Sequence, residues 1–205
     1  MEERARIMKI ASLKFSAEEN PSFYNVKIDE EGNVSYYNEK GQLHRLDGPA
    51  VERSNGNKEW RVNGKLHRLD GPAIVRGNNR EWYVNDKLHR LDGPAIELWN
   101  GDKWWYYEGK KHRVGGPAVE WVDGTKWWYV YDKKHRLDGP AVEWPNGDKE
   151  WWVRGMRHRL DGPAIEHVSG KKEWYVNGKR IGKSTNGFTD RDFEQWKKEH
   201  GYENS

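Results

Sequence analysis

Histidine and aspartate recur three residues apart in one segment of this sequence, His-Arg-Leu-Asp-Gly-Pro-Ala. The segment begins at residues 44, 67, 89, 112, 135 and 158, and its fourth copy has Gly115 in place of the aspartate. A histidine and a carboxylate this close together could ligate a metal ion or transfer protons. A catalytic site is single, however, whereas this pair recurs at a nearly constant interval of about 23 residues. We therefore interpret the segment as structural, with Asp-Gly in a turn, Pro fixing φ, and His and Arg bonded to backbone or to carboxylates of a neighbouring copy.

The composition excludes several classes of protein and site. The chain contains no cysteine, so a disulfide framework and thiolate metal sites are excluded. Its 36 basic and 33 acidic residues are interspersed, which gives no strong attraction for nucleic acid or anionic membranes. No window resembles a membrane span or a signal peptide, and no Ser/His/Asp or Cys/His nucleophile stands out. We expect a non-catalytic protein without cofactor or metal, located in the cytoplasm, or in the host cytoplasm if the chain is viral.

A fixed period of about 23 residues is typical of a repeat architecture. In each unit the Gly-Pro-Ala end of the segment leads into a short β-branched strand, such as Ala95 to Trp99. A turn such as Asn100-Gly101-Asp102 follows, because Asn-Gly tolerates the positive φ of tight hairpins. The next strand is aromatic, as in Trp127 to Val130. Two strands per unit predict an all-β fold, an elongated antiparallel β-hairpin repeat array in a single twisted sheet.

The chain is predicted to have three parts. Residues 1–33 form an N-terminal cap, in which a short helix or strand precedes an opening hairpin. Residues 34–182 form the hairpin array. Residues 183–205 form a C-terminal capping helix and tail, because Thr189 is a suitable N-cap and Phe193 and Trp196 share a helix face. The exposed end of an array needs such a cap, and the alternative is a docking arm for a partner.

The strands are predicted to give the array two different faces. The predicted core face combines β-branched residues of the first strand, such as Val142, with an invariant tryptophan found at Trp60, Trp82, Trp105, Trp128, Trp151 and Trp174. The opposite face is predicted to be aromatic and acidic. Its candidate binding residues are Trp104, Tyr106, Trp127, Tyr129, Trp152, Tyr83, Glu97, Glu120 and Glu143. An exposed aromatic patch of this size usually marks an interaction site, although cross-strand pairing would also account for these residues.

The repeat resembles MORN repeats, in particular the MORN-like variants of bacterial and of phage or other viral proteins. Residues Trp82 to Ala95 match the pattern Trp-Tyr-x-Asn-Gly-Lys-x-His-Arg-x-Asp-Gly-Pro-Ala, with Asp86 in place of glycine. The resemblance covers residues 34–178. It differs from ordinary MORN units in having Asp-Gly-Pro-Ala where those favour Gly-x-Gly, which argues against a phospholipid-binding role. The resemblance implies an all-β hairpin array with a scaffolding or protein-binding function, and some bacterial members are antitoxin-like.

These observations favour a non-catalytic repeat scaffold that binds a protein partner through the aromatic and acidic face. From the resemblance, the role could be a phage or viral interaction with a host protein, such as inhibition of a defence protein. One alternative is a module that binds carbohydrate or a small ligand such as a nucleotide through the same rings, and another is an antitoxin-like bacterial protein. We expect no membrane span and no nucleic-acid partner, and the sequence leaves the oligomeric state open.

Overall fold

The computed structural model describes residues 24–202. The helix or strand predicted within residues 1–20, the first residue of the strand predicted from Phe23, and the last three residues of the tail lie outside this range. The chain divides into two compact units, one that ends at Leu88 and one that begins at His89. Each unit consists of antiparallel hairpins, so the predicted all-β hairpin array is confirmed.

The unit that ends at Leu88 has a central run of paired strands and two small hairpins. Its strands are Asn25–Ile28 (β1), Val34–Tyr37 (β2), Val51–Glu52 (β3), Lys58–Glu59 (β4), Arg61–Val62 (β5), Lys65–Leu66 (β6), Ile74–Arg76 (β7), Asn79–Glu81 (β8), Tyr83–Val84 (β9) and Lys87–Leu88 (β10). The strands β1, β2, β3, β4, β7 and β8 pair in that order. The strands β5 and β6, and β9 and β10, form separate two-stranded hairpins.

The unit that begins at His89 repeats the same arrangement and ends with a helix. Its strands are Ile96–Glu97 (β11), Lys103–Trp104 (β12), Tyr106–Tyr107 (β13), Lys110–Lys111 (β14), Val119–Glu120 (β15), Lys126–Trp127 (β16), Tyr129–Val130 (β17), Lys133–Lys134 (β18), Val142–Glu143 (β19), Lys149–Glu150 (β20), Trp152–Val153 (β21), Met156–Arg157 (β22), Ile165–Glu166 (β23), Lys172–Val176 (β24) and Lys179–Lys183 (β25). The strands β11, β12, β15, β16, β19, β20, β23, β24 and β25 pair in that order, and the others form small hairpins. A short 3-10 helix, Ser184–Asn186, and the helix α1, Asp190–Glu199, follow.

The aromatic segment of each internal repeat is two short strands, not the single strand that the sequence predicts. The break lies at the invariant tryptophan, because the backbone changes its partner there. Trp128 donates its N–H to Ala141 O of the next repeat at 2.9 Å, and its own carbonyl accepts from His135 of its hairpin at 3.1 Å. Each internal repeat therefore has four strands of two or three residues.

The register of the paired strands corrects the predicted faces. Ile96 lies opposite Trp104, and Glu97 lies opposite Lys103. Residues opposite each other in an antiparallel pair share a face. The β-branched residue therefore shares its face with Trp104, while Glu97 lies on the other side, so the prediction that Trp104 and Glu97 share a face is wrong. The turn of residues 98–102 sets this register, and a shift of one residue exchanges the two faces.

The core of each unit consists of small and β-branched side chains. The alanine that ends each His-Arg-Leu-Asp-Gly-Pro-Ala segment, hereafter the link, is fully buried at Ala50, Ala73, Ala95, Ala118, Ala141 and Ala164. The β-branched residue that follows each alanine is also buried. The invariant tryptophans, predicted to belong to the core, are only half-buried, with the exception of Trp174. Burial is therefore concentrated where each link enters its strand.

The last repeat ends differently because no link follows it. The strand β24 runs through Trp174 without a break and pairs with β25, with a register shift between Trp174 and Tyr175. Gly182 occupies the position at which each earlier repeat has the link arginine. The ring of Phe188 lies over Trp174, with ring centroids 5.2 Å apart, and a side chain at Gly182 would overlap this ring. Phe188 thus covers the final tryptophan in place of an arginine.

The predicted C-terminal helix is confirmed as α1. The Thr189 hydroxyl accepts the N–H of Asp192, and the Asp192 carboxylate accepts the N–H of Thr189, which completes a capping box. Phe193 is buried against Trp174 and Val176, and Trp196 packs against the same cluster. The helix therefore covers the end of the array.

Candidate functional site

Four of the six link histidines, His44, His89, His135 and His158, accept a hydrogen bond from a backbone N–H of the next small hairpin. His67 Nδ1 instead faces Asn85 Oδ1, and His112 Nδ1 is buried without a hydrogen-bond partner among residues 24–202. His89 Nδ1 accepts the N–H of Glu108 at 3.2 Å, and His158 Nδ1 accepts the N–H of Asn177 at 3.0 Å. A ring nitrogen that accepts an N–H is unprotonated, and its lone pair is not available to a metal ion. Burial also lowers the pKa of His158, which favours the neutral ring. Within residues 24–202, no group of three His, Asp or Glu side chains is placed to hold a metal ion.

The link arginines bind carboxylates of their own link and of the strand that follows it. Arg136 Nε donates to Asp138 at 3.0 Å, and its Nη1 donates to Glu143 at 2.9 Å and to the Pro140 carbonyl at 3.2 Å. The guanidinium carbon lies 4.2 Å from the ring centre of Trp128. The hydrogen bond from Arg136 holds the pKa of Asp138 below its ordinary value. The Asp of a complete link is therefore an ion-pair partner and not a lone acid or base.

The glutamates among the candidate binding residues take part in the same arginine contacts. Glu97 accepts from Arg90 at 2.9 Å, and Glu120 accepts from Arg113 at 2.7 Å. Glu143 is bound to Arg136 in the same way. These glutamates lie on the side of the strands away from Trp104 and Trp127, so the structure does not bring them together with the candidate rings.

The candidate rings of the unit from His89 lie together with two lysines that are not among the predicted site residues. We call this set the aromatic–lysine surface; it consists of Trp104, Tyr106, Trp127, Tyr129 and Trp152 with Lys111 and Lys134. Lys111 Nζ lies 5.7 Å from the ring centres of both Tyr106 and Tyr129. Lys134 Nζ lies 4.5 Å from the ring centre of Trp127 and 4.9 Å from that of Trp152. Cations at these distances are attracted to the ring faces.

The middle of the surface lacks the carboxylate that other repeats have. In the repeat of Trp152, the indole N–H donates to Glu150 Oε2 at 2.8 Å. Trp104 and Trp127 occupy the position of this glutamate in the two preceding repeats, and their indole Nε1 atoms are buried without an acceptor. The two repeats therefore present apolar ring surface and lysine where their neighbours present an acid.

Burial of the surface changes the protonation equilibria of its members. Burial lowers the pKa of Lys134, with nearby Arg157 acting in the same direction and Glu150 opposing it. Burial likewise raises the pKa of Tyr129, with smaller contributions from Asp132 and Tyr106. A shallow depression of about 480 Å³ lies beside these residues and is lined by Tyr129, Asp132, Lys133, Lys134, Trp152, Arg154 and Gly155. An anionic group bound there would favour the protonated lysine.

Comparison of the repeats would have identified both lysines from the sequence. The residue before the link histidine is Leu66 and Leu88 in the first two small hairpins, but Lys111 and Lys134 in the next two.

Two further rings that the sequence analysis did not name as site residues also belong to this region. Trp121 contacts Trp127 edge-to-face, with centroids 4.3 Å apart, and Trp144 lies 5.9 Å from it on the other flank.

Tyr83, the remaining candidate residue, belongs to the unit that ends at Leu88. Its hydroxyl donates to Glu81 Oε2 at 2.9 Å. Tyr175 in the last repeat makes the same bond to Glu173 at 2.9 Å. The pairing of Tyr83 is thus a recurrent feature of repeats that retain the glutamate.

The chain matches no protein-family model, and no curated protein matches it in sequence. Among the helices that residues 24–202 form, none has the length and apolar character needed to cross a membrane.

Proposed function

We propose that this chain is a non-catalytic repeat scaffold that binds an acidic, extended segment of a partner protein on its aromatic–lysine surface. The observation that carries the proposal is the position of Lys134 between the rings of Trp127 and Trp152. Neither Lys134 nor Lys111 forms an ion pair with a carboxylate of residues 24–202, although both are half-buried. A carboxylate from a partner would form a direct ion pair with each lysine at a site with apolar walls, in addition to the longer-range attraction between Lys134 and Glu150.

The proposal replaces the aromatic and acidic face of the sequence interpretation with an aromatic and basic one. The glutamates bind link arginines on the other side of the strands. A MORN-like repeat identity, proposed from the sequence pattern, agrees with a scaffolding role. Inhibition of a host protein by a phage or viral scaffold remains one form that this role could take.

The spacing of the lysines favours an extended polypeptide over a single small ligand. Lys111 and Lys134 occupy the same position in successive repeats, and two paired strands per repeat separate such positions by roughly 10 Å. A chain in the polyproline II conformation rises about 3.1 Å per residue with three residues per turn, so it covers that distance in about three residues and every third side chain points the same way. A segment with Asp or Glu at every third position would therefore place one carboxylate on each lysine.

The test compares two double variants with the same change in net charge. Lys111→Gln with Lys134→Gln removes both cations of the surface, whereas Lys103→Gln with Lys126→Gln removes two exposed lysines that lie opposite Glu97 and Glu120 on the other side. Fluorescence anisotropy would measure binding of labelled peptides with Glu at every third position. We expect the first variant to bind at least tenfold more weakly, the second less than twofold, and binding to weaken with added salt.

Three results would overturn the proposal. Equal effects of the two double variants would show that net charge alone attracts the peptide. A lack of saturable binding by any acidic peptide would remove the proposed ligand class. A tryptophan fluorescence change with oligosaccharides or nucleotides, but none with peptides, would favour the small-ligand alternative instead.

A further inference from the structure

The third residue of each link forms a second set of apolar side chains, on a different part of the repeat from the aromatic–lysine surface. In the unit from His89, Leu91 and Leu137 are each 80% exposed and Val114 is 86% exposed. Leu160, at the same position in the sixth link, is instead partly buried. Large exposed apolar side chains at a constant structural position indicate a surface that can be covered by a binding element.

The helix α1 is the element that covers the sixth link. Leu160 packs against the cluster that contains Phe193 and Trp196. Lys197 Nζ of the same helix donates to the Leu160 carbonyl at 2.9 Å. The protein therefore contains an example of how a link is covered: the apolar face of an amphipathic helix lies on the leucine, and a lysine beside that face binds the link backbone.

A groove of about 500 Å³ continues from this contact to the fifth link. Its walls are Arg136, Leu137, Asp138, Gly139, Trp151, Val153, His158, Arg159, Leu160 and Asp161. Leu160 belongs both to the groove and to the contact with α1, so the groove begins where that contact ends. Leu137 at its other side is uncovered.

The charged side chains around the groove indicate whether a cationic or an anionic partner fits it. Each of the two arginines in its wall is bound to two carboxylates, Arg136 to Asp138 and Glu143, and Arg159 to Asp161 and Glu166. The two arginines and the four carboxylates that they bind together have a net negative charge, and the side chains of Asp138 and Asp161 are highly exposed. A cationic partner is complementary to this surface, whereas an anionic membrane is not.

We propose that the groove between the fifth and sixth links binds an amphipathic helix of a partner protein, one whose aromatic or aliphatic face is flanked by lysine or arginine. The helix lies beside α1 and fills the groove between Leu137 and Leu160 with an apolar side chain. Its basic residues meet Asp138 and Asp161, as Lys197 meets the sixth link from within the chain. This site uses no residue of the aromatic–lysine surface, so either proposal can fail without the other.

The test uses a synthetic helix as the probe and the full chain as its receptor. The probe has the sequence of residues 188–202 with Glu194→Lys and Glu199→Lys, and a hydrocarbon staple joins the exposed positions 191 and 195. A second probe with the same charges has Phe193→Ser and Trp196→Ser. We expect saturable one-to-one binding of the first probe by the chain and at least tenfold weaker binding of the second.

Variants of the receptor locate the site. Leu137→Ser should weaken binding of the first probe at least tenfold, whereas Leu91→Ser, an equally exposed leucine of the third link, should change it less than twofold. Equal losses, or no saturable binding below millimolar probe, would overturn the proposal. So would displacement of α1, detected as loss of amide protection in residues 190–199. The chain alone is also tested for dimer formation and for retention on anionic vesicles. If either is observed and Leu137→Ser abolishes it, the groove has another occupant and the proposal is overturned.

Discussion

The position of the link arginine explains why a glycine follows it three residues later in the link. Its guanidinium lies on the invariant tryptophan, as for Arg136 at 4.2 Å from the ring centre of Trp128, and it binds two carboxylates and a carbonyl. The glycine of the link is required because of this position: a Cβ on Gly139 would lie 2.9 Å from the Arg136 guanidinium carbon. The glycine therefore provides space for a close approach, and its φ is not in the left-handed region.

Substitution of Gly139 tests this account. In Gly139→Ala the flexible arginine must move away, so the cost is the loss of its hydrogen bonds and its ring contact and not a fixed overlap. We expect the free energy of unfolding to fall by about 1–3 kcal/mol, measured from urea unfolding curves. The matched control is Gly162→Ala, where the added Cβ would lie 3.2 Å from the Arg159 guanidinium carbon and less movement is needed. An unfolding midpoint for Gly139→Ala equal to that of the wild type would contradict the account.

Backbone hydrogen bonds between successive repeats determine where the strands of each repeat begin and end. At an internal tryptophan the N–H donates to the alanine at the end of the following link, whereas the carbonyl accepts from the histidine that follows its own small hairpin, and this change of partner divides the aromatic segment into two strands. At Trp174 there is no following link, and the strand runs on unbroken into a hairpin with β25. The array ends there because Phe188 replaces the arginine over the tryptophan and α1 packs beside it.

Gly182→Ala should weaken the packing of Phe188 and α1 against the last repeat. The added methyl group would occupy the space of the Phe188 ring, which is held against Trp174 and cannot move as easily as an arginine. We expect a loss of about 1–3 kcal/mol, together with faster amide exchange in α1. The control is Gly187→Ala, where φ is 78° and nothing lies near an added Cβ, so only backbone strain is introduced. Amide exchange in α1 that is unchanged in Gly182→Ala would show that Phe188 does not anchor the helix.

The same elements explain which features could be predicted from the sequence. The repeat period and the Asn-Gly or Asp-Gly turns were enough to predict the antiparallel hairpins. Thr189 as N-cap, with Phe193 and Trp196 on one helix face, was enough to predict α1. The break at the invariant tryptophan could not be predicted, because it depends on hydrogen bonds to another repeat and no Gly or Pro marks it. The faces were assigned incorrectly because a five-residue turn fixes the register, and a shift of one residue exchanges them. The candidate rings were named from the sequence, but the lysines beside them could be found only by comparing Leu88 with Lys111.

In both units, polar contacts between repeats supplement a core of small apolar side chains. Only 34% of the residues are hydrophobic, and the buried apolar side chains are mainly those of alanine, valine and isoleucine. Contacts from one repeat to the next therefore rely on polar groups as well, including backbone N–H groups that donate to link histidines in both units, at His44, His89, His135 and His158. An imidazolium at His158 could not accept this bond, and burial lowers the pKa of that histidine, so stability should depend on pH there.

The pH dependence can be tested at His158. Burial lowers its pKa in the folded protein, so the unfolded chain binds the proton more tightly. The stabilising contribution is therefore complete above the unfolded-state pKa of about 6.5, and it is lost as pH falls through the lower folded-state pKa. We expect the thermal midpoint to fall between pH 7.5 and 5, and His158→Asn, which keeps an acceptor oxygen without titrating, to reduce that fall. If His158→Asn and the wild type lose stability in parallel on acidification, protonation of His158 does not contribute to the loss.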